Sequence, residues 1–187
     1  MTPYSLAFYM DVVASGTVLG AKPTDSPDQV TAILGPDFAE NRVYDDSLCR
    51  DYGMVEFFWQ RESPDHPWEG HHFTVHVRQL SYWGGSLVNK AIRDRYGRFD
   101  RHLRFDKLER LLAKRGVHME YVPDCNEPSL TLHWQPASQV SVMALRAHEN
   151  ERRRRWDKRI GDVYAIHSSV SADQVAWKKA HYGGQDT

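Results

Sequence analysis

Short hydrophobic runs punctuated by glycine and proline set the pattern of the first third of the chain. Leu6–Val13 is almost entirely apolar and contains two adjacent valines, which predicts a first strand. Ser26 is a favourable N-cap, Pro27 fits the first helical position, and Gln29 completes a capping box. Gly35 followed by proline ends the same segment. The sequence therefore predicts a short helix between Ser26 and Gly35.

The next segment is polar and is followed by an aromatic hairpin. Asp37–Arg50 has few apolar positions, so it is predicted as a loop with one short strand at Arg42–Tyr44. Tyr52–Gln60 and His71–Leu80 alternate between apolar and polar positions, as half-buried strands do. A turn rich in proline separates these two strands, which indicates an antiparallel pair with one apolar face.

The second half of the chain continues to alternate helices and strands. Predicted helices cover Leu87–Arg95, Phe105–Arg115 and Ser171–Ala180, and predicted strands cover Val117–Val122, Ser129–Trp134, Val140–Ala147 and Asp162–His167. The last helix starts with a second capping box, formed by Ser171 and Gln174. This order predicts an α+β fold, with a mostly antiparallel sheet and two or three helices packed on one face. We expect a single domain over residues 1–187, with its core in 4–180 and a frayed tail at 181–187.

Composition adds limits on class and location. The chain has 187 residues, 41% hydrophobic, with 24 basic and 25 acidic residues and a formal charge of −1. A chain of this length and apolar content can bury a core, and it contains no run of 18 apolar residues that would predict a membrane span. The start lacks a basic region and a small-residue cleavage site, so no signal peptide is predicted. Two cysteines, Cys49 and Cys125, suit a reducing compartment, although one bridge between them stays open. We expect a cytoplasmic protein without a membrane role.

Charge is distributed unevenly along the chain. Residues 1–60 contain three basic and nine acidic residues, a net charge of −6, so the remainder carries +5. The positive charge is concentrated in Lys90–Arg115 and Arg152–Arg159. Such a distribution either solvates helix faces or steers a charged partner.

Familiar catalytic and metal-binding motifs are absent from the sequence. There is no H-E-x-x-H or C-x-x-C, no G-x-S-x-G elbow, and no glycine-rich phosphate loop. We therefore predict no metal and no cofactor. One enzyme hypothesis remains, in which Glu56 and three histidines share a sheet face, namely His72, His76 and His133. His72 and His76 lie four residues apart, about 13 Å along a strand, which is too far for one zinc ion.

A second alternative is a nucleic-acid-binding module. Basic residues alternate with aromatic ones in two segments: Arg93, Arg95, Arg98, Arg101, Arg104 and Lys107 lie among Tyr96, Phe99 and Phe105, and Arg152–Arg155 precede Trp156. Four acidic residues dilute the first segment: Asp94, Asp100, Asp106 and Glu109. We therefore do not expect nucleic acid to be the main partner.

Two motifs carry a family resemblance. The helix ending in Leu34-Gly35-Pro36, a variable loop, and the Arg50-Asp51-Tyr52-Gly53 segment before an aromatic strand form a helix-to-strand unit. A similar unit occurs in the β-lactamase inhibitor protein and in small outer-membrane assembly lipoproteins, although this chain lacks the lipobox cysteine. Together with the helix at 105–116 and the His133–Ser138 turn, the pattern resembles small bacterial immunity proteins encoded beside secreted toxins. The resemblance covers roughly residues 15–145.

The resemblance implies a non-catalytic binding protein that neutralises a cognate protein toxin by occluding its active site. Such a protein needs a charged complementary patch and a few aromatic anchors. The acidic loop supplies Asp37, Glu40, Asp45 and Asp46, with Tyr44 as an anchor, and two tryptophans, Trp68 and Trp83, flank the predicted hairpin. These seven residues are the predicted partner-binding set.

Overall fold

One eight-stranded antiparallel sheet organises the chain. The structure is a computed structural model that describes residues 4–124, 126–146 and 159–183. Its strands lie in the order β1-β2-β3-β4-β8-β7-β6-β5, so two groups of four consecutive strands meet where β4 pairs with β8. The strands are β1 (Ala39–Tyr44), β2 (Ser47–Asp51), β3 (Val55–Gln60), β4 (Glu69–Val75), β5 (Glu120–Val122), β6 (Leu130–Gln135), β7 (Val140–Leu145) and β8 (Val163–His167).

Six α-helices surround this sheet in the described residues, and a 3-10 turn over Gly84–Leu87 joins two of them. The helices are α1 (Tyr4–Ser15), α2 (Pro27–Leu34), α3 (Gln79–Trp83), α4 (Lys90–Tyr96), α5 (Phe105–Ala113) and α6 (Ala172–Tyr182). The predicted α+β class is confirmed, with more helices than the two or three expected. None of these helices combines the length and apolar character needed to cross a membrane.

The capped helices form where the sequence predicts them. In α2, the Ser26 hydroxyl accepts a hydrogen bond from the backbone N–H of Gln29. In return, Gln29 Oε1 accepts a hydrogen bond from the backbone N–H of Ser26 at 2.8 Å. The same reciprocal pair, Ser171 and Gln174, starts α6. These local bonds satisfy amides that the first helical turn leaves without partners.

The first predicted strand is wrong, because residues 4–15 form helix α1. Most of its side chains are buried, including neighbours such as Phe8, Tyr9 and Met10. The helix packs against α4, α5 and β7 and is therefore apolar on most sides. A short apolar run of this kind does not distinguish a buried helix from a buried strand.

The predicted polar loop at Asp37–Arg50 is also wrong over most of its length, because it forms the hairpin of β1 and β2. β1 is an edge strand with polar residues, and natural edge strands carry charges that prevent further pairing. The next predicted strand also ends early. His71–Leu80 is extended only to Val75, and α3 begins at Gln79.

Different helices pack against the two faces of the sheet. Side chains such as Phe57, Phe73 and Val142 point to the face that packs against α1, α2, α4 and α5 in the main core. On the opposite face, Val175 of α6 packs against Leu132 and Trp134 in a smaller cluster. Further along that face, strands β3, β4 and β8 contribute five residues that are neighbours across the strands: Glu56, Phe58, His72, Thr74 and His167. We call these five residues the open face.

Candidate functional site

The turn of the β1–β2 hairpin presents an aromatic ring beside two carboxylates. Tyr44 is 72% exposed, and Asp45 and Asp46 follow it in the turn. Within the described residues, neither aspartate side chain has a hydrogen bond or an ion pair. The turn itself is fixed by Arg61, whose Nε and Nη2 donate to the carbonyl oxygen of Asp45 at 2.8 and 2.6 Å.

The loop between β3 and β4 brings further carboxylates to the same end of the sheet. Strand register places Ser47 beside Gln60, and Gln60 beside Glu69. The exposed acids here are Glu62 and Asp65 of the loop and Glu69, the first residue of β4. We define the acidic end as Tyr44, Asp45, Asp46, Glu62, Asp65 and Glu69.

Arg61 carries one positive charge at this end, but it donates to backbone carbonyls and, within the described residues, forms no ion pair with the five carboxylates. Besides the Asp45 carbonyl, it donates to the Pro64 carbonyl at 2.9 Å. Its guanidinium lies 4.3 Å from the ring centroid of Trp68. His66 lies 3.6 Å from the Glu62 carboxylate, a long and exposed contact. The acidic end therefore combines a fixed backbone with carboxylates open to a partner.

The structure divides the seven predicted partner-binding residues between two ends of the sheet. Tyr44, Asp45 and Asp46 lie together at the acidic end, and Trp68 lies there half-buried beneath Arg61. Asp37 and Trp83 lie at the opposite end, beyond the Asp51 and Val75 ends of β2 and β4.

Glu40, the seventh residue, is committed to an ion pair. Its carboxylate accepts hydrogen bonds from Arg50 and from Arg42. Burial raises the pKa of Glu40, but these hydrogen bonds and the two positive charges outweigh it and hold the pKa below its ordinary value. Glu62, Asp65 and Glu69 were not predicted. The proline-rich turn between the two predicted strands was the signal that could have placed them beside the hairpin.

The open face carries a second group of ionisable side chains. His76 Nε2 lies 2.8 Å from Glu56 Oε2, and His167 Nδ1 lies 3.1 Å from Thr74 Oγ1. The hydrogen bond from His76 lowers the pKa of Glu56 and outweighs partial burial, which raises it. The enzyme hypothesis thus correctly joined Glu56 with His76, and His167 was missed because its strand is remote in sequence.

A β-bulge shapes the neighbouring part of this face. Residue pairing skips from Phe58–His72 to Trp59–Gly70, so His71 is the extra residue. The bulge brings the Nδ1 atoms of His71 and His72 within 2.6 Å of each other. His72 also stacks on Phe58 with ring centroids 4.2 Å apart.

The chemistry available on the open face is restricted by burial. Burial lowers the pKa of both His72 and His167 to about 4, so both rings are neutral at pH 7. Burial, with the charges of Glu56 and Asp51, raises the pKa of the Cys49 thiol to about 12, which removes thiolate character. Burial also raises the pKa of Asp51 despite a hydrogen bond from the Gly53 amide.

The complete enzyme site suggested by the sequence does not assemble. His133 lies on β6 and points to the other sheet face, where it stacks on Phe105 with ring centroids 4.0 Å apart. In the described residues, no group of three or more His, Cys, Asp or Glu side chains is arranged to hold a metal ion. Cys125, Arg152–Arg155 and Trp156 lie outside the described residues, so the cysteine pairing and the second basic segment are not assigned a place.

A groove borders the open face at His167. It has a volume of about 640 Å³ and lies between α6 and strands β6, β7 and β8. Its lining is mainly apolar and includes Leu132, Met143 and Trp177. At its rim, Lys178 forms an ion pair with Asp124, so the two nearest opposite charges neutralise each other.

Comparison with protein-family models, with curated proteins and with solved structures finds no match to this chain. The resemblance to immunity proteins therefore remains an expectation from sequence motifs.

Proposed function

We propose that this chain is a non-catalytic binding protein, and specifically an immunity protein that occludes the active site of a cognate toxin. The observation that supports this proposal is the acidic end, where an exposed tyrosine stands beside Asp45 and Asp46, whose carboxylates have no ion pair among the described residues. Toxins that act on nucleic acid have basic active-site grooves, so a surface of this sign would complement them.

The physical properties of the acidic end suit an interface. Tyrosine is enriched among the residues that dominate binding energy, since its ring gives a large contact area for little loss of conformational entropy. Unpaired carboxylates attract a basic partner over a distance and raise the rate of association. Because Arg61 already fixes the turn, the hairpin needs little ordering when it binds.

The test is co-expression with the product of the adjacent gene, followed by affinity purification and a growth assay. We expect that product to inhibit growth alone, to lose this toxicity when co-expressed, and to co-purify in a fixed ratio. An adjacent gene product that is harmless and does not bind would overturn the proposal.

Variants then locate the interface. The double variant Asp45→Asn/Asp46→Asn should weaken binding at least tenfold and reduce its dependence on salt, and Tyr44→Ala should weaken it by a similar factor. The matched control is Asp94→Asn/Asp106→Asn, which removes the same charge from exposed ion pairs elsewhere. Equal effects of the two double variants would show that the acidic end is not the interface.

A further inference from the structure

A second charged surface, of opposite sign, lies at the other end of the sheet. Residues 78–104 contain seven basic and two acidic residues, a net charge of +5, and six of the seven basic residues are arginine. This segment includes α3, the 3-10 turn and α4, which follow directly from the end of β4.

Two aromatic rings stand exposed within this basic segment. On α3, Trp83 is 71% exposed and Tyr82 is 52% exposed. The guanidinium of Arg101 lies beside Gly84, the residue that follows Trp83, since its Nε and Nη2 are 3.8 Å from the position that a Cβ on Gly84 would take. Exposed aromatic rings with neighbouring arginines are the elements of a stacking platform.

Two of the four acidic residues that dilute this basic region form ion pairs with its own basic residues. Asp94 is paired with Lys90, and Asp106 is paired with Arg104. In the described part of the chain, the side chains of Arg93, Arg98 and Arg101 have no hydrogen bond or ion pair, and all three residues are exposed. Three guanidinium groups are therefore available to an external anion.

Arg93 is connected to the aromatic platform through the 3-10 turn. The Ser86 hydroxyl donates to the Trp83 carbonyl at 2.8 Å. Ser86, Lys90 and Arg93 line a cavity of about 230 Å³, together with the acidic residues Asp37 and Asp51. Arg101 thus lies near the start of the 3-10 turn, and Arg93 shares a cavity with Ser86 near its end. We call Tyr82, Trp83, Arg93, Arg98 and Arg101 the basic aromatic end.

We propose that the basic aromatic end binds single-stranded nucleic acid. Guanidinium groups match phosphate oxygens in paired hydrogen bonds, and Trp83 and Tyr82 offer faces on which unpaired bases stack. The exposed rings of Trp83 and Tyr82 favour a nucleic acid over an acidic protein, because guanidinium groups pair with carboxylates and phosphates alike whereas only bases stack on the rings. This inference rests on residues separate from the acidic end and does not depend on the proposed function.

The experiment is fluorescence anisotropy with a labelled 12-nucleotide single strand, of DNA and of RNA, across a series of salt concentrations. Binding should weaken with salt, with a slope near −0.7 for each phosphate contact, or about −2 for three arginines. Trp83→Ala should weaken binding about tenfold, and Trp83→Phe should restore most of the affinity. Arg98→Gln/Arg101→Gln should reduce the magnitude of the slope by about 1.4.

Controls separate stacking from charge alone. Lys22→Gln/Lys114→Gln removes two exposed charges outside the basic aromatic end and should leave both the affinity and the slope unchanged. Circular dichroism of each variant checks its fold. The proposal is overturned if the single strand does not bind at low salt, or if Trp83→Ala binds like the wild type. It is also overturned if a poly-glutamate peptide of equal charge binds as tightly as the oligonucleotide.

Discussion

Arg50 connects the β1–β2 hairpin to helix α2 by holding Glu40 on one side and the helix on the other. Its Nε donates to Glu40 Oε2 at 3.0 Å, and its Nη1 donates to the Pro27 carbonyl and the Thr31 hydroxyl, both at 2.8 Å. The guanidinium also lies 4.5 Å from the ring centroid of Phe38. The arginine side chain is only 14% exposed, so these contacts are largely shielded from water.

Replacing this arginine with lysine should destabilise the fold. Arg50→Lys keeps the charge but loses the planar fork, and we expect the free energy of unfolding to fall by about 2 kcal/mol in urea titrations. Arg42→Lys is the matched control, since Arg42 binds the same carboxylate from a side chain that is 57% exposed. That variant should cost under about 0.5 kcal/mol. Equal losses would contradict a central role for Arg50.

At Gly53, between β2 and β3, the backbone lies directly against the 3-10 turn. Its φ is +92°, and a Cβ there would lie 1.9 Å from the Leu87 carbonyl oxygen. Gly53→Ala should lower the free energy of unfolding by at least about 3 kcal/mol, because backbone atoms must move. Gly116 has a φ of +74° but open space around it, so Gly116→Ala should cost only about 1 kcal/mol. Similar costs at both sites would show that strain, not crowding, decides the outcome.

Stability should decrease at mildly acidic pH. Burial lowers the pKa of His72, His133 and His167 to about 4 in the folded state, whereas the pKa of a histidine in an unfolded chain is about 6.5. The unfolded chain therefore binds more protons between these values, and the folded state loses stability as the pH falls from about 6.5 towards 4.

Urea midpoints measured from pH 7.5 to 4.5 give this slope directly. His133→Phe, which keeps an aromatic ring against Phe105, should flatten the profile by removing one of the three proton sites. Trp177→Phe changes an exposed ring without removing a proton site and should preserve the wild-type slope. A His133→Phe profile parallel to the wild type would refute this assignment.

The two capping boxes should differ in their effect on the whole fold. α2 contributes Val30 and Leu34 to the main core, whereas α6 contributes Val175 to the smaller cluster. Ser26→Ala should therefore lower global stability by about 1 kcal/mol. Ser171→Ala should mainly increase amide hydrogen exchange within α6. Uniform exchange changes in both variants would indicate one cooperative unit.

Much of the fold could be predicted because its signals are local. Ser26 and Ser171 start helices through bonds to residues three positions away, and alternation identifies the β3–β4 hairpin. The misses arise where tertiary packing decides the structure. Residues 6–13 are helical because helices and a strand bury them, and β1 lacks an apolar face because it is an edge strand.

The candidate site was only partly predictable for the same reason. Tyr44, Asp45 and Asp46 are neighbours in sequence, so their grouping needs no tertiary information. Trp83 and Asp37 lie at the opposite end of the sheet from these three residues. Only the strand register, which the sequence does not give, shows this separation. The acids of the β3–β4 loop join the acidic end by that same register.

The junction of β4 with β8 has a consequence for the order in which the molecule folds. The two strands meet through two residue pairs, Thr74 with His167 and Val75 with Ile166, across more than 90 residues of chain. Closing so long a loop is entropically costly, so we expect this junction to form late. The hairpins of β1 to β4 need only neighbouring segments. During synthesis, the acidic end can therefore assemble from residues 44–69 well before residue 167 leaves the ribosome to complete the sheet.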